Sequence, residues 1–438
     1  MPKVIIIGGG LAGLASAAAL ASLKFDVELF ESRAFLGGRA TSWPADAEST
    51  ELVDNCQHVL MRCCVNLLDF YRRLGVEQSI RFYRTFYFIE PGGRISKLER
   101  GILPAPAHFA GSFLGMKCLS LRDKIAIARG MLAIRRERTR TDLDRISMAD
   151  WLHSHGQTPN AIERFWRQVL VSAINEELER MAAAHGFQVF WLGMLSRGDS
   201  YEMGVPAVPL RELYREDVWQ RVGPVTLRPR SAVSRIEIDG GRVAGIRVAE
   251  RLHTADSYIC ALPFERVPAL IPELGFELDH WEHSPITGIH LWFDRPVTSL
   301  PYATLLDRTI QWMFNKSEGR YVQLVVSASR SLIEKSRADV IALAVSELAD
   351  FFPLVKSAKL ERAHVVKEVR ATFSAKPGMA ELRPPSQTQF PNLYLAGDWT
   401  RSGWPATMEG AVRSGYAAAD AIAIQAGQTA GFLLPDVA

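Results

Sequence analysis

The chain runs to 438 residues, 48% of them hydrophobic, enough to bury a large core and more than one ordinary domain needs. Its formal net charge of +3 gives no global field for nucleic acid or an acidic partner, so neither is expected. The five cysteines, Cys56, Cys63, Cys64, Cys118 and Cys260, show neither CxxC nor zinc spacing, so no metal is expected. Their odd count and the lack of a secretory signal favour a reducing cytoplasm.

In chain order, Val4 to Ile7 is an uncharged β-branched run, the pattern of a parallel strand buried on both faces. Gly8, Gly10 and Gly13 follow at GxGxxG spacing, and Leu11 to Leu23 is rich enough in Ala and Leu for a helix. The first glycine permits a tight turn, the second lets backbone approach a pyrophosphate, and the third allows close helix–strand packing. The helix start at Leu11 and Ala12 offers free N–H groups to the anion. A second strand, Asp26 to Phe30, ends at Glu31, where an acid would grip ribose hydroxyls. Residues 4–23 carry no charge, yet their four glycines and the acid-tipped strand beyond argue against a signal peptide or membrane span. Ser32 then opens a loop to Gly37-Gly38-Arg39. Two residues without side chains let this loop approach a cofactor, and Arg39 can pair with its phosphates.

Residues from about 65 to 205 are mostly helical in pattern, with one aromatic hairpin, Arg81 to Ile89 and Arg94 to Leu98, turned at Pro91-Gly92-Gly93. Short strands follow at Val225 to Leu227, Val233 to Ile238, Arg242 to Val248 and Tyr258 to Leu262, the middle two joined by an Asp239-Gly240-Gly241 turn. From about 265 to 385, strands such as Ile286 to Phe293 and Tyr321 to Ala328 accompany a helix near Val340 to Phe352. The expected organisation is discontinuous. Residues 1–64, 206–265 and 386–438 form a nucleotide domain, and 65–205 with 266–385 form a substrate domain.

Asn392 to Leu395 reads as a strand running into Ala396-Gly397-Asp398, with a helix from about Ala406 to Ile424. This closing segment, with the Gly37-Gly38-Arg39 turn behind an acid-tipped strand, resembles the signatures of the FAD-dependent amine oxidase and phytoene desaturase superfamily. The resemblance implies an α/β fold: a Rossmann-like FAD-binding domain of glutathione-reductase type beside a discontinuous α+β substrate-binding domain. It implies FAD as the cofactor, with Asp398 on the ribityl chain or phosphate. Backbone N–H groups of Thr407 and Met408 would face the flavin N1/C2 carbonyl, where reduction places negative charge. Val233 sits where such proteins offer backbone contacts to adenine, and Cys260-Ala261-Leu262-Pro263 resembles the small-residue strand end that passes the cofactor.

At finer grain, three segments are similar to the hydroxysqualene dehydroxylase family of bacterial squalene and hopanoid synthesis. They are Asp54-Asn55-Cys56-Gln57-His58, Phe165-Trp166 with Ile174-Asn175, and Gly397-Asp398-Trp399-Thr400 with Gly403-Trp404-Pro405-Ala406-Thr407-Met408-Glu409-Gly410. The likeness extends over most of the chain, with one departure: the family commonly has glycine where Cys56 stands. It implies reduction of hydroxysqualene to squalene, in which an allylic hydroxyl leaves and reduced flavin delivers hydride. On that reading Asp54 and His58 form the polar end of the site, His58 as proton donor. Trp404 and Trp399 would wall the flavin and stabilise positive charge through their π faces. Each has a bland rival: a helix cap for Asp54, a bonded structural histidine for His58, and core packing for the tryptophans. The electron donor stays unidentified, since no second nucleotide motif for NAD(P)H is present. Two rival functions share the ancestry, a carotenoid desaturase working from oxidised flavin and a non-catalytic prenyl-lipid carrier of the GDP-dissociation-inhibitor type.

A long isoprenoid such as hydroxysqualene is nearly insoluble, so contact with a membrane is expected. Ile102 to Leu121 is apolar and punctuated by proline, and Arg122 to Arg145 holds eight Arg/Lys against four Asp/Glu. Together they suit an anchor on anionic lipid, which implies a cytoplasmic protein peripheral at the inner face of the cytoplasmic membrane. The bland rival is a buried tunnel wall with a solvated basic face behind it.

Overall fold

The computed structural model describes residues 1–45 and 51–437. One half is a five-stranded sheet in which every pairing is parallel. The strands are β1 (Lys3–Ile7), β2 (Asp26–Phe30), β3 (Val225–Arg228), β4 (Ser257–Cys260) and β5 (Leu393–Leu395), in the order β3-β2-β1-β4-β5. Helix α1 (Leu11–Ser22) is apolar all round and packs on the last long helix, α2 (Met408–Gln425). A helix with no polar face must be covered on every side. Here Gly415 makes the contact close: a Cβ there would stand 2.2 Å from the Ala12 carbonyl oxygen, and Ser16 Oγ donates to Gly415 O at 3.0 Å. The two ends of the chain are thereby fused into one body.

A three-stranded antiparallel sheet, Val233–Asp239, Arg242–Val248 and Arg251–His253, flanks this core. Its first turn places Gly240 and Gly241 at φ +53 and +75, the backbone that a two-residue hairpin of this twist requires.

The second half is built on a seven-stranded sheet. Its order is Leu360–Phe373, His283–Phe293, Tyr321–Ser327, Trp312–Ser317, Tyr302–Leu305, Thr85–Ile89 and Ile95–Glu99. The two strands from residues 65–205 join those from residues 266–385 through a parallel pairing of Thr304 with Phe88. One face packs Ile289, Leu291, Val322 and Leu324 against Val340, Ala344 and Leu348 of the helix Arg337–Phe351. Because side chains alternate along a strand, the other face carries His290, Gln323, Phe314 and Tyr302, paired across neighbouring strands. The helices of residues 65–205 fill out a large core around Trp151, Trp166 and Phe190.

The aromatic hairpin is shorter than its alternation suggests. Ile80–Tyr83 pairs instead with Met203–Pro206 in a separate sheet, and only Thr85–Ile89 and Ile95–Glu99 form the hairpin. The break falls at Arg84, whose guanidinium is drawn out to Glu202 at 2.9 Å. Among the described residues no helix is long and apolar enough to cross a membrane.

Candidate flavin and substrate site

The glycine loop between β1 and α1 is shaped by contacts that admit no side chain. Gly8, at φ +109, donates to Phe30 O at 2.8 Å, and a Cβ on it would stand 2.6 Å from Ala261 O. A Cβ on Gly13 would approach Gly8 O to 2.0 Å. Gly10 differs: a Cβ there would meet only Gly38 Cα, at 3.9 Å. Gly10 also bridges to Gly37, and Gly38 sits at φ +61 with its own Cβ position 2.9 Å from Gly10 Cα. Two stretches of bare backbone thus face each other, with no side chain capping α1 at Leu11 and Ala12. Such a cradle fits a diphosphate lying on the helix N-terminus.

Glu31 is buried at the tip of β2. Its Oε2 accepts from Gly9 N at 2.8 Å, and its Oε1 from Arg33 N at 2.7 Å and Ser32 Oγ at 3.1 Å. The carboxylate therefore braces the glycine loop as well as standing where ribose hydroxyls would lie. Ser231 N donates to Glu31 O, so Val233 begins its strand beside this corner. Ala261 donates to Ile7 O at 2.8 Å and closes the cradle opposite Gly8.

At the far end, Arg39 ties the front of the chain to its closing strand. Its Nη2 meets Asp398 Oδ1 at 2.6 Å and its Nη1 donates to Ala371 O at 2.8 Å. Burial opposes charge on the guanidinium, but Asp398 outweighs it and holds Arg39 firmly protonated. Gly397 donates to Ser414 Oγ at 2.8 Å. α2 starts at Met408, two residues later than its composition suggests, because Thr407 is its cap: Oγ1 accepts from Gly410 N at 3.1 Å. The Thr407 N–H is used within the turn, donating to Pro405 O at 2.8 Å. Of the two backbone donors expected to face the flavin, only Met408 is left at the open first turn.

The Asp54–His58 segment lies between Arg39 and the large sheet. Asn55 Nδ2 donates to Arg39 O at 2.6 Å. Asn55 O rests on the sheet at Gly288, where a Cβ would come within 2.9 Å of it. Cys56 packs into that face against Met203, Tyr302, Phe314 and Val325, and burial pushes its thiol up to about 12. Asp54 caps no helix of its own. Its Oδ1 accepts from Ser42 Oγ at 2.7 Å and from Leu210 N at 3.0 Å, and its Oδ2 faces Lys316 Nζ at 3.3 Å. Lys316 also donates to Gln57 Oε1 at 2.9 Å. This lysine, on the strand Trp312–Ser317, carries no sequence signal that would link it to the motif. His58 Nδ1 donates to Cys56 O at 3.0 Å, which leaves Nε2 as an acceptor. Burial holds its pKa below the usual value, so the ring is neutral near pH 7.

The tryptophans are anchored in the core. Trp399 Nε1 donates to Leu262 O at 2.9 Å, with Phe276 and Trp281 against its ring. Trp404 is buried with Cys63 and Leu192, and its Nε1 donates to Asp436 Oδ1 at 2.9 Å. Asp436 also holds Arg413 at 2.9 Å, and Gly431 N donates to Asp420, so the segment 431–437 is strapped along α2.

Residues 11–423 match the family of flavin containing amine oxidoreductases. Among curated relatives, the zeta-carotene desaturase of Synechocystis sp. is 26% identical, the alignment covering 96% of this chain and 97% of that protein. The 15-cis-phytoene desaturase of Synechococcus elongatus is likewise 26% identical, over 96% and 95%. Among solved structures, an oxidoreductase from Methanosarcina mazei superposes with a TM-score of 0.72 at 18% identity, covering 97% of this chain and 100% of its own. Putrescine oxidase bound to putrescine gives 0.73 at 15%, over 97% and 99%. With the cradle described above, these findings settle the class: the chain belongs to the flavin containing amine oxidoreductase family and is an FAD-dependent oxidoreductase.

Proposed function

We propose that this flavoenzyme acts on a long isoprenoid, with hydride passing between the cofactor and an allylic carbon. Relatives named for zeta-carotene and phytoene match along nearly the whole chain, and a hydrophobic patch that includes Tyr302 and Phe314 lies beside the Cys56 loop. Bound FAD supplies the two-electron carrier. The protein supplies an apolar, water-poor lining and a fixed position for the reacting carbon.

Two directions fit this frame. The curated relatives favour hydride removal, a carotenoid desaturase. The end motifs and the Asp54–His58 segment support hydride delivery, the reduction of hydroxysqualene to squalene in bacterial squalene and hopanoid synthesis. One observation weighs for delivery: proton-bearing groups meet at the motif beside Arg39. Breaking the allylic C–O bond sends its electron pair to oxygen, which takes a proton and leaves as water while hydride fills the carbon. Removing hydride from a hydrocarbon needs no such oxygen-directed donor. Lys316 uses two of its three N–H donors on Asp54 and Gln57 and keeps one, which adds it to His58 as a candidate donor. His58 must first be charged against its burial. Trp404 is assigned to shaping the turn before α2.

The direction of flow tests this reading. The FAD-loaded protein is photoreduced without oxygen and mixed with hydroxysqualene in detergent micelles, and flavin absorbance is followed while lipid is extracted. Reoxidation with equimolar squalene is the expected result. A flavin that stays reduced, together with an oxidised protein that converts phytoene or zeta-carotene, establishes the desaturase instead. No reaction with either sinks the isoprenoid reading.

A further inference from the structure

The helix Leu121–Glu137 has two apolar faces, and only one is covered. Ala126, Ile127, Gly130 and Ile134 are buried, with Gly130 so close to Trp166 that a Cβ would meet the indole at 2.7 Å. On the opposite side Leu121 is 69% exposed, Ile125 46% and Leu132 52%. With Ala128 they form one stripe, within about 60° of arc on a helix of 3.6 residues per turn. Leu114, 64% exposed, adjoins its start, since Lys124 Nζ donates to Leu114 O at 2.7 Å. An outward apolar stripe on a surface helix is not explained by the fold that carries it.

The charges beside the stripe are all of one sign. At helical spacing Arg122, Arg129 and Arg136 run along one flank and Lys124 and Arg135 along the other. Asp123 and Glu137 point to the buried side: Asp123 accepts from Ser120 N in the capping box that Ser120 forms, and Glu137 takes bonds from Trp151 and His155. Arg122, Arg129, Arg135 and Arg136 are exposed and make no ion pair among the described residues. By contrast Arg140 pairs with Glu137 and Asp142, and Arg138 lies over the Trp191 ring at 4.4 Å.

We infer that the outer face of this helix, with Leu114, docks on an anionic lipid surface. Leu and Ile side chains would enter the headgroup boundary while the arginines reach sideways to phosphates. A second copy of the chain is the weaker occupant, because a two-fold contact would set the same unpaired arginines against one another. Phe109, five residues before Leu114, begins a row of packed aromatic rings. Phe109 touches Tyr201 at 4.7 Å and Tyr201 touches Phe86 at 6.1 Å between ring centroids, and Phe86 packs on the cluster that holds Cys56. The docking face does not rest on the isoprenoid reading.

Sedimentation with vesicles of phosphatidylcholine, with and without phosphatidylglycerol, tests the face. The wild type is expected to bind the anionic vesicles and to weaken with salt. Two variants are each expected to lose about tenfold or more of that binding: Leu121→Ser/Ile125→Ser/Leu132→Ser and Arg122→Gln/Arg129→Gln/Arg135→Gln/Arg136→Gln. Their flavin spectra, melting temperatures and light-scattering masses should match the wild type. Variants that bind as well as the wild type overturn the inference, as does a wild-type dimer that the serine variant dissolves. Failure of the isoprenoid reading leaves vesicle binding intact, and loss of vesicle binding leaves the micelle reaction intact, so the two fail separately.

Discussion

Gly8, Gly10, Gly13 and Gly38 hold the cradle through backbone contacts made within the first forty residues and one later strand end. Asp54, Gln57 and Lys316 hold the neighbouring polar corner through side-chain bonds that span 262 and 259 residues. The first region is shaped mainly by steric exclusion, which one methyl group can destroy, with the Glu31 carboxylate bracing it at Gly9. The second is fixed by a handful of charged and polar atoms, any of which can be removed with a graded loss. Shape keeps the cradle, and charge keeps the polar corner.

The sharpest way to break that comparison is inside the glycine loop itself. Gly13→Ala forces a Cβ to within 2.0 Å of Gly8 O, and is expected to cost about 3 kcal/mol or more in urea unfolding of the apoprotein. Gly10→Ala places its methyl against Gly38 Cα alone, at an unstrained 3.9 Å. Its apoprotein should unfold within about 0.5 kcal/mol of wild type, while the FAD dissociation constant rises by about tenfold or more as the methyl meets the diphosphate. Equal unfolding losses in both variants would erase the distinction between a packing glycine and a cofactor glycine.

The same contrast explains what was legible beforehand. The glycine spacing, Glu31 and the Gly240-Gly241 turn are readable because local backbone sterics dictate them. Thr407 as a cap was hidden, because only the observed turn shows its N–H going to Pro405. The alternation from Arg81 to Ile89 runs unbroken through Arg84, so nothing local announces that the chain changes sheets there. Lys316 is invisible for a different reason. Its partners lie in another segment, and a lysine near a strand end reads as solvated until the large sheet swings it onto Asp54.

Lys316→Met sharpens the comparison from the polar side. It strips from Asp54 Oδ2 the only cation paired with it among the described residues, and a donor from Gln57, with Asp54 almost fully buried. A loss of about 2 kcal/mol is expected, below the full cost of breaking a buried pair because Lys316 itself keeps some solvent contact. FAD content should stay at wild-type level while turnover falls. Adding Asp54→Asn should restore part of the stability, and strictly additive losses would show that the two groups do not interact.

The smallest expected effect separates the regions by pH. His290 lies on the same sheet face, its Nδ1 bonded to Tyr321 OH at 2.7 Å, and burial pushes its pKa down to about 3. His185 is likewise pushed down to about 3 by burial. Unfolding returns both rings to the ordinary range near 6.5, so between about pH 3 and 6.5 the unfolded chain binds protons that the native protein excludes. Stability therefore falls as pH drops below 6.5, by about 1.4 kcal/mol per pH unit for each fully titrating histidine. Glu409, pushed up to about 7 by burial, has the opposite sign between its unfolded value and 7 and offsets about one histidine. His290→Asn isolates the corner, because Glu409 and His185 are common to both proteins. Between pH 6 and pH 5 its unfolding free energy should fall by about 1 kcal/mol less than that of wild type. Flavin absorbance should stay constant over the same interval, since the glycine contacts that shape the cradle are steric. A bound flavin lost in parallel with the histidine slope would mean that charge, and not shape, holds the cofactor.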